Sequence, residues 1–213
     1  MELAQGCDIT LVESWLDHGM TRDLVDFLRK RYRERFFDPI NCLKKAAEST
    51  EGYGFSMMSL CCLLAETIQC YREGVPSTSK AEWPRLLEIQ QNGVIPKQYQ
   101  LPPDPPINGR EAFRRFFADH QRFFPCVNGH EFYDDIRNGL LHQAQTKGEW
   151  TINIRGTKVC DPSIKNINRN LFATGLKDCF DACLVDLEAR SWDHQDWANA
   201  ARKLWWLIRL SKP

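Results

Sequence analysis

The run from Phe55 to Glu73, FSMMSLCCLLAETIQCYRE, is apolar on nearly every side and contains neither glycine nor proline. A helix of that kind has no face to give to water, so other elements must surround it, and it marks the centre of a helical bundle. Glu66 is its one mid-helix acid. A carboxylate there needs a partner if it is buried. It pairs with Arg137, orients His142, or reaches the edge of the helix.

The segments on either side are also helical in pattern. Residues 8–36 are broken near His18-Gly19-Met20, with Thr21 placed to cap a second helix. That helix has an apolar side (Leu24, Val25, Phe27, Leu28, Tyr32, Phe36) and a basic one that includes Arg29 and Arg33. The basic side is either a phosphate-tracking face or a solvated one partly neutralised by Asp23, Asp26 and Glu34. Pro39 starts or kinks a further stretch to about Ala47, and Glu48 to Gly54 is a turn. Gly74 to Pro106 holds seven prolines (76, 84, 96, 102, 103, 105 and 106) and reads as an ordered excursion over the core, with one short helix over Glu82 to Gln91. Asn108 caps a helix from Arg110 to about Phe124, which buries Phe113, Phe116, Phe117 and Phe123 and carries Arg110, Arg114, Arg115 and Arg122 on its flank. Trp150, Ile152 and Ile154 alternate with polar residues before a turn at Arg155-Gly156 and the segment Lys158-Val159-Cys160, the pattern of a small β-hairpin. Helices over Asn168–Arg190 and Asp193–Leu210 close the chain. The expected class is all-α, a single helical domain over 1–213. Its parts are an N-terminal helical portion (1–49), a core bundle (50–190) and a C-terminal helix (191–213).

Twenty-eight basic residues balance 28 acidic ones, so a polyanion would have to be held by a local patch rather than by bulk charge. Nine cysteines form no CxxC, and several sit inside apolar runs, as expected of free thiols in a reducing, cytoplasmic compartment. Cys179 and Cys183, four apart, can touch one metal together. No matching His or Cys pair completes a tetrahedral set, so neither metal nor cofactor is expected. No basic leader precedes an apolar run at the N-terminus, and no stretch of 18 uninterrupted apolar residues suggests a membrane span.

Chemistry concentrates in Glu131–Thr146, EFYDDIRNGLLHQAQT. Projected as a helix, it places Phe132, Tyr133, Ile136, Gly139, Leu140 and Ala144 on an apolar side. Arg137, Asn138, His142, Asp134, Asp135, Glu131 and Gln145 form the polar side, with Leu141 among them. A guanidinium can fork onto a phosphate, and an imidazole can move a proton near neutral pH. Gly139 costs roughly 1 kcal/mol against alanine in mid-helix, which either close packing or function explains. Merely solvated polar residues would give the same pattern. Against that reading, Leu141 suits a face covered by a second subunit.

The segment Ile136-Arg137-Asn138-Gly139-Leu140-Leu141-His142 resembles the Arg-(four to six residues)-His motif of the HEPN superfamily, including the polar residue straight after the arginine. The wider strings FYDDIRNGLLHQAQTKGEW and INRNLFATGLKDCFDACLVDLEAR look like a bacterial HEPN-like group. The resemblance covers residues 50–190, and the proline-rich segment and the hairpin depart from it. It implies a helical bundle and a metal-independent endoribonuclease that acts as a homodimer, two copies of the motif meeting in one site. Arg137 would stabilise charge on the phosphorus, His142 would act as general base or acid, and Asn138 would bind phosphate or fix the imidazole. Glu66, Asp134 and Asp135 would support them, with Arg29, Arg33, Arg114 and Arg115 available to RNA. Products would carry a 2′,3′-cyclic phosphate. The implied setting is a bacterial toxin–antitoxin or phage-defence system, with an antitoxin or defence protein as partner and no membrane. The alternative is a non-catalytic HEPN module that binds nucleotide or RNA, or regulates a partner.

Overall fold

The computed structural model describes residues 1–49 and 53–212. Two short strands, β1 (Glu2–Ala4) and β2 (Cys7–Asp8), pair antiparallel at the N-terminus. Asp8 then caps α1 (Ile9–Asp17) by accepting from the Leu11 N–H. After the break at His18–Met20 comes α2 (Thr21–Tyr32). Its N-cap is Met20, without a side-chain cap, so Thr21 is the first helical residue rather than the cap expected of it. A π-helical turn, Arg33–Phe37, carries α2 directly into α3 (Asp38–Ser49). Pro39 has no N–H to donate, and the wider turn just before it, where the Asp38 N–H reaches back to the Arg33 carbonyl, lets the helix pass the proline instead of stopping. Of the turn expected over Glu48–Gly54, residues 50–52 lie outside the described ones, while Glu48 and Ser49 still belong to α3 and Gly54 already opens the next helix.

The central helix is α4 (Gly54–Glu73), closed by Gly74 in the left-handed conformation. It buries Met57, Met58, Cys61, Cys62, Leu64, Ala65 and Ile68. It packs against α3, α6 (Gly109–Asp119), α9 (Arg169–Glu188) and α10 (Gln195–Ser211), the arrangement its all-round apolarity requires. The proline-rich excursion is ordered over this core. It contains α5 (Trp83–Asn92) and a 3-10 turn (Lys97–Tyr99), and it buries Trp83, Leu86, Tyr99 and Leu101. The Trp206 indole N–H donates to the Tyr99 carbonyl at 2.9 Å, pinning the excursion to α10.

Two expectations fail locally. The helix capped by Asn108 ends at Asp119, not near Phe124. The His120 carbonyl accepts from the N–H groups of Phe123 and Phe124, and the resulting turn buries Phe124 against Phe116, Phe117 and Phe172 while Phe123 stays half-buried. The hairpin at 150–160 is not a hairpin. Strands β3 (Thr151–Asn153) and β4 (Cys160–Asp161) do not pair with each other. A third strand, β5 (Asn166–Asn168), lies between them, parallel to β3 and antiparallel to β4. Asn-Ile-Asn is a poor strand by propensity. Its buried Asn168 amide donates to the carbonyls of Ile154 and Gly156 at 3.1 and 3.0 Å, and Ile167 is fully buried in the core, so loop carbonyls and one apolar side chain together recruit it. The same Asn168 caps α9 through the N–H groups of Asn170 and Leu171.

The chain is mostly helical with these two small sheets. Among the described residues, no helix is long and apolar enough to cross a membrane.

Candidate active site

The motif stretch is one helical path in three parts: α7 (Gly129–Glu131), a π-helical segment (Phe132–Arg137) and α8 (Asn138–Gln143). Asn128 caps its start through the N–H groups of His130 and Glu131. Phe132 anchors it, with its ring stacked on Phe172 at 5.3 Å and packed on Phe117 at 4.8 Å, which joins the motif to α6 and α9. Ile136, Gly139 and Leu140 are buried and Tyr133 half-buried, as the projection requires. Ala144 is not on the buried side. It is exposed, takes φ 53°, and ends the helix before the expected Thr146. The Gln145 N–H returns to the Gly139 carbonyl at 3.4 Å, closing the end after the left-handed Ala144. This folds 145–147 back over Gly139, where a Cβ would overlap the Gln145 carbonyl and sit 3.1 Å from Thr146 Cα. Close backbone approach is therefore sufficient reason for the glycine.

Arg137 is held on three sides. Its Nη2 pairs with Glu66 Oε2 at 3.2 Å, with the two side chains only 18% and 15% exposed. Its Nη1 donates to Asn138 Oδ1 at 3.1 Å, and its guanidinium lies 5.3 Å from the Tyr133 ring centroid. Of the options open to Glu66, the one present is the pair with Arg137. The second carboxylate oxygen of Glu66 accepts from the Thr78 hydroxyl, so the proline-rich excursion helps hold the pair. Arg137, Glu66, Thr78 and Tyr133 line an open cleft of 640 Å3, together with Leu63, Asn108 and Lys203. Lys203 donates to the Pro76 carbonyl, and burial lowers its pKa from the usual lysine value. Thr78 and Lys203 are not signalled by the sequence: they lie on separate segments, and no local spacing links them to the motif.

His142 stands apart. It is exposed, it is not on the wall of that cleft, and it makes no hydrogen bond or ion pair among the described residues. Five helical residues turn the side chain by about 140° and raise it by about 7.5 Å, so within one chain the arginine and the histidine diverge. Asp134 is engaged by Arg110, at 2.9 Å, and the Asp135 carbonyl accepts from the Lys147 N–H at 2.8 Å. The candidate RNA-binding arginines are largely neutralised internally. Arg29 pairs with Asp26, Arg114 with Glu111 at 2.7 Å, and Arg115 with both Glu111 and Glu73, at 2.8 and 2.9 Å. Arg33 is exposed. Cation–carboxylate pairs of this kind weaken the field available to a phosphate backbone.

Glu111 receives two of these guanidinium groups, and their hydrogen bonds pull its carboxyl down to about 2. Cys179 and Cys183, expected on one face of α9, are joined there by His120 from the end of α6. Comparisons with models of known protein families, with curated proteins and with solved structures find no match for this chain.

Proposed function

We propose that the chain is a metal-independent endoribonuclease of the HEPN type, acting as a homodimer in which two motif helices share one site. The observation that carries this reading is the division within the motif helix. Arg137 is clamped by Glu66 and Asn138 on the wall of a cleft, while His142 is exposed and has no hydrogen-bond or ion-pair partner among the described residues. An exposed imidazole can approach a bound substrate and serve as proton donor or acceptor. In-line attack of a ribose 2′-hydroxyl calls for one group to take its proton and another to protonate the leaving 5′-oxygen. One chain offers one such histidine in the motif, and a second copy supplies the other. Arg137 then stabilises the charge developing on the phosphorus, and Asn138 fixes its guanidinium. A toxin or phage-defence effector, held inactive by a partner protein, is the setting that resemblance to the HEPN superfamily suggests.

The ion pair with Glu66 favours a second reading. An arginine already neutralised by a fixed carboxylate is suited to reversible binding of a nucleotide or RNA phosphate without turnover. One experiment separates the two. Purified protein with EDTA should cleave RNA to cyclic-phosphate ends, and His142→Ala should lower the rate by about 100-fold or more. Because His142 holds nothing in the fold, this variant should stay folded and dimeric. Intact RNA from a folded dimer, with binding weakened by His142→Ala, would establish the binding module instead.

A further inference from the structure

The chain carries a second cluster of chemically capable groups, remote in sequence from the motif. Cys179 and Cys183 lie one turn apart on α9, so both sulfurs project from the same face. The turn that ends α6 at Asp119 puts His120 against that face. One donor atom from each of the three residues lies within 4.8 Å of the other two, and Cys183 Sγ is 4.0 Å from His120 Nε2. We propose that these three residues form a binding site for a divalent zinc-class metal ion, clamping the end of α6 to the middle of α9.

The distances are close to those required. Zinc–sulfur bonds of about 2.3 Å and zinc–nitrogen bonds of about 2.0–2.1 Å place tetrahedral ligand atoms about 3.5–3.8 Å apart. Closing the trio on a metal therefore takes movements of under about 1 Å. The state without metal leaves the imidazole poorly served. His120 is 7% exposed, and its ring has a single hydrogen-bond partner among the described residues, the long contact to a sulfur. A buried imidazole that lacks a strong partner is costly, and a metal bond supplies one. Two thiolates and a divalent cation sum to zero charge, so the occupied site adds no net charge to the core. Cys179 is fully buried, and Phe116 lies against the imidazole with ring centroids 4.9 Å apart, which keeps water from two of the three ligands.

The fourth position has an evident side. Cys183 is only half-buried and lies on the wall of a separate cavity of 320 Å3, which also presents Tyr71, Arg72 and Arg190. Water or a small ligand entering that cavity can complete the tetrahedron; Arg72 and Arg190 are already paired with Asp119 and Asp196, at 3.2 and 3.8 Å, and Asp186 also lines the cavity. Three protein ligands and one exchangeable position make an open centre rather than a closed structural one. This proposal does not rest on the Arg137/His142 reading, because it involves other residues and another cavity.

The test uses the reduced, full-length protein. Titration with Co2+ should produce a near-ultraviolet thiolate-to-metal charge-transfer band that saturates at one equivalent, and Zn2+ should abolish it by displacement. Cys183→Ser and His120→Gln should each weaken binding by at least about 100-fold, since even changes outside the ligand shell cost 10–100-fold. Cys42→Ser, at an exposed thiol, should not weaken it. Alkylation mapped by mass spectrometry gives a readout that does not depend on how the variants fold: Zn2+ should protect Cys183 but not Cys42 or Cys126. Absence of the band, its persistence in both ligand variants, equal alkylation of Cys183 with and without Zn2+, or a Cys179–Cys183 disulfide in place of binding would each overturn the proposal.

Discussion

Replacing Glu66 with glutamine tests how the cleft is held together. The substitution keeps the shape and the hydrogen-bonding capacity toward Thr78 but removes the charge facing Arg137. At 3.2 Å and an effective dielectric constant near 20, the attraction between the two charges is about 5 kcal/mol. Desolvation of two groups that are each more than four-fifths buried offsets much of it, so the net coupling lies between that of exposed pairs, about 0–1 kcal/mol, and the 3–5 kcal/mol lost when a fully buried pair is broken. Glu66→Gln alone should destabilise the fold by about 2 kcal/mol, because it leaves a mostly buried guanidinium uncompensated. Arg137→Met should cost a similar amount by stranding the carboxylate. The double variant should lose about 1–3 kcal/mol less than the sum of the two. Urea unfolding followed by circular dichroism, with unchanged slopes, measures all four corners of the cycle. A coupling within about 0.5 kcal/mol of zero would show that the pair does not organise the cleft.

Gly139→Ala should destabilise despite the better helix propensity of alanine. The gain of about 1 kcal/mol is outweighed by overlap with the backbone of 145–147, at about 1–3 kcal/mol for overpacking, so thermal denaturation should show a lower Tm; an unchanged or higher Tm would refute the close-approach argument. Stability should also depend on acid through Glu111. Its folded pKa, about 2, lies below the ordinary 4.5, so its contribution is complete above about pH 4.5 and is lost as the pH falls toward 2. Glu111→Gln should flatten the acid limb of a stability–pH curve, and a limb unchanged by that substitution would show that the Arg114–Glu111–Arg115 fork contributes nothing.

Elements whose cause is local were legible in the sequence. The central helix followed from its all-round apolarity, and the starts of α6 and α9 from Asn108 and Asn168, whose side chains reach only two or three residues ahead. The sheet is not legible in the sequence because β5 is held by contacts to residues more than ten positions away and has no alternating apolar pattern to announce it. The π-helical turns were also invisible, since a one-residue widening leaves the apolar residues close to their α-helical positions. In the candidate site, the polar face of the motif helix is readable from residue order, but residue order alone does not decide which group Glu66 and Arg137 engage.

By itself, then, the order of residues determined which segments are helical, which helix lies at the centre, and that Arg137, Asn138 and His142 share one short helix. Helical periodicity and capping act over a few residues and so are written locally. Only the tertiary structure decided that Glu66 and Thr78 hold Arg137 in a cleft with Lys203, that His142 stands outside it, and that His120 meets Cys179 and Cys183. Those meetings join residues from separate helices and loops, and their geometry is set by how the surrounding core packs.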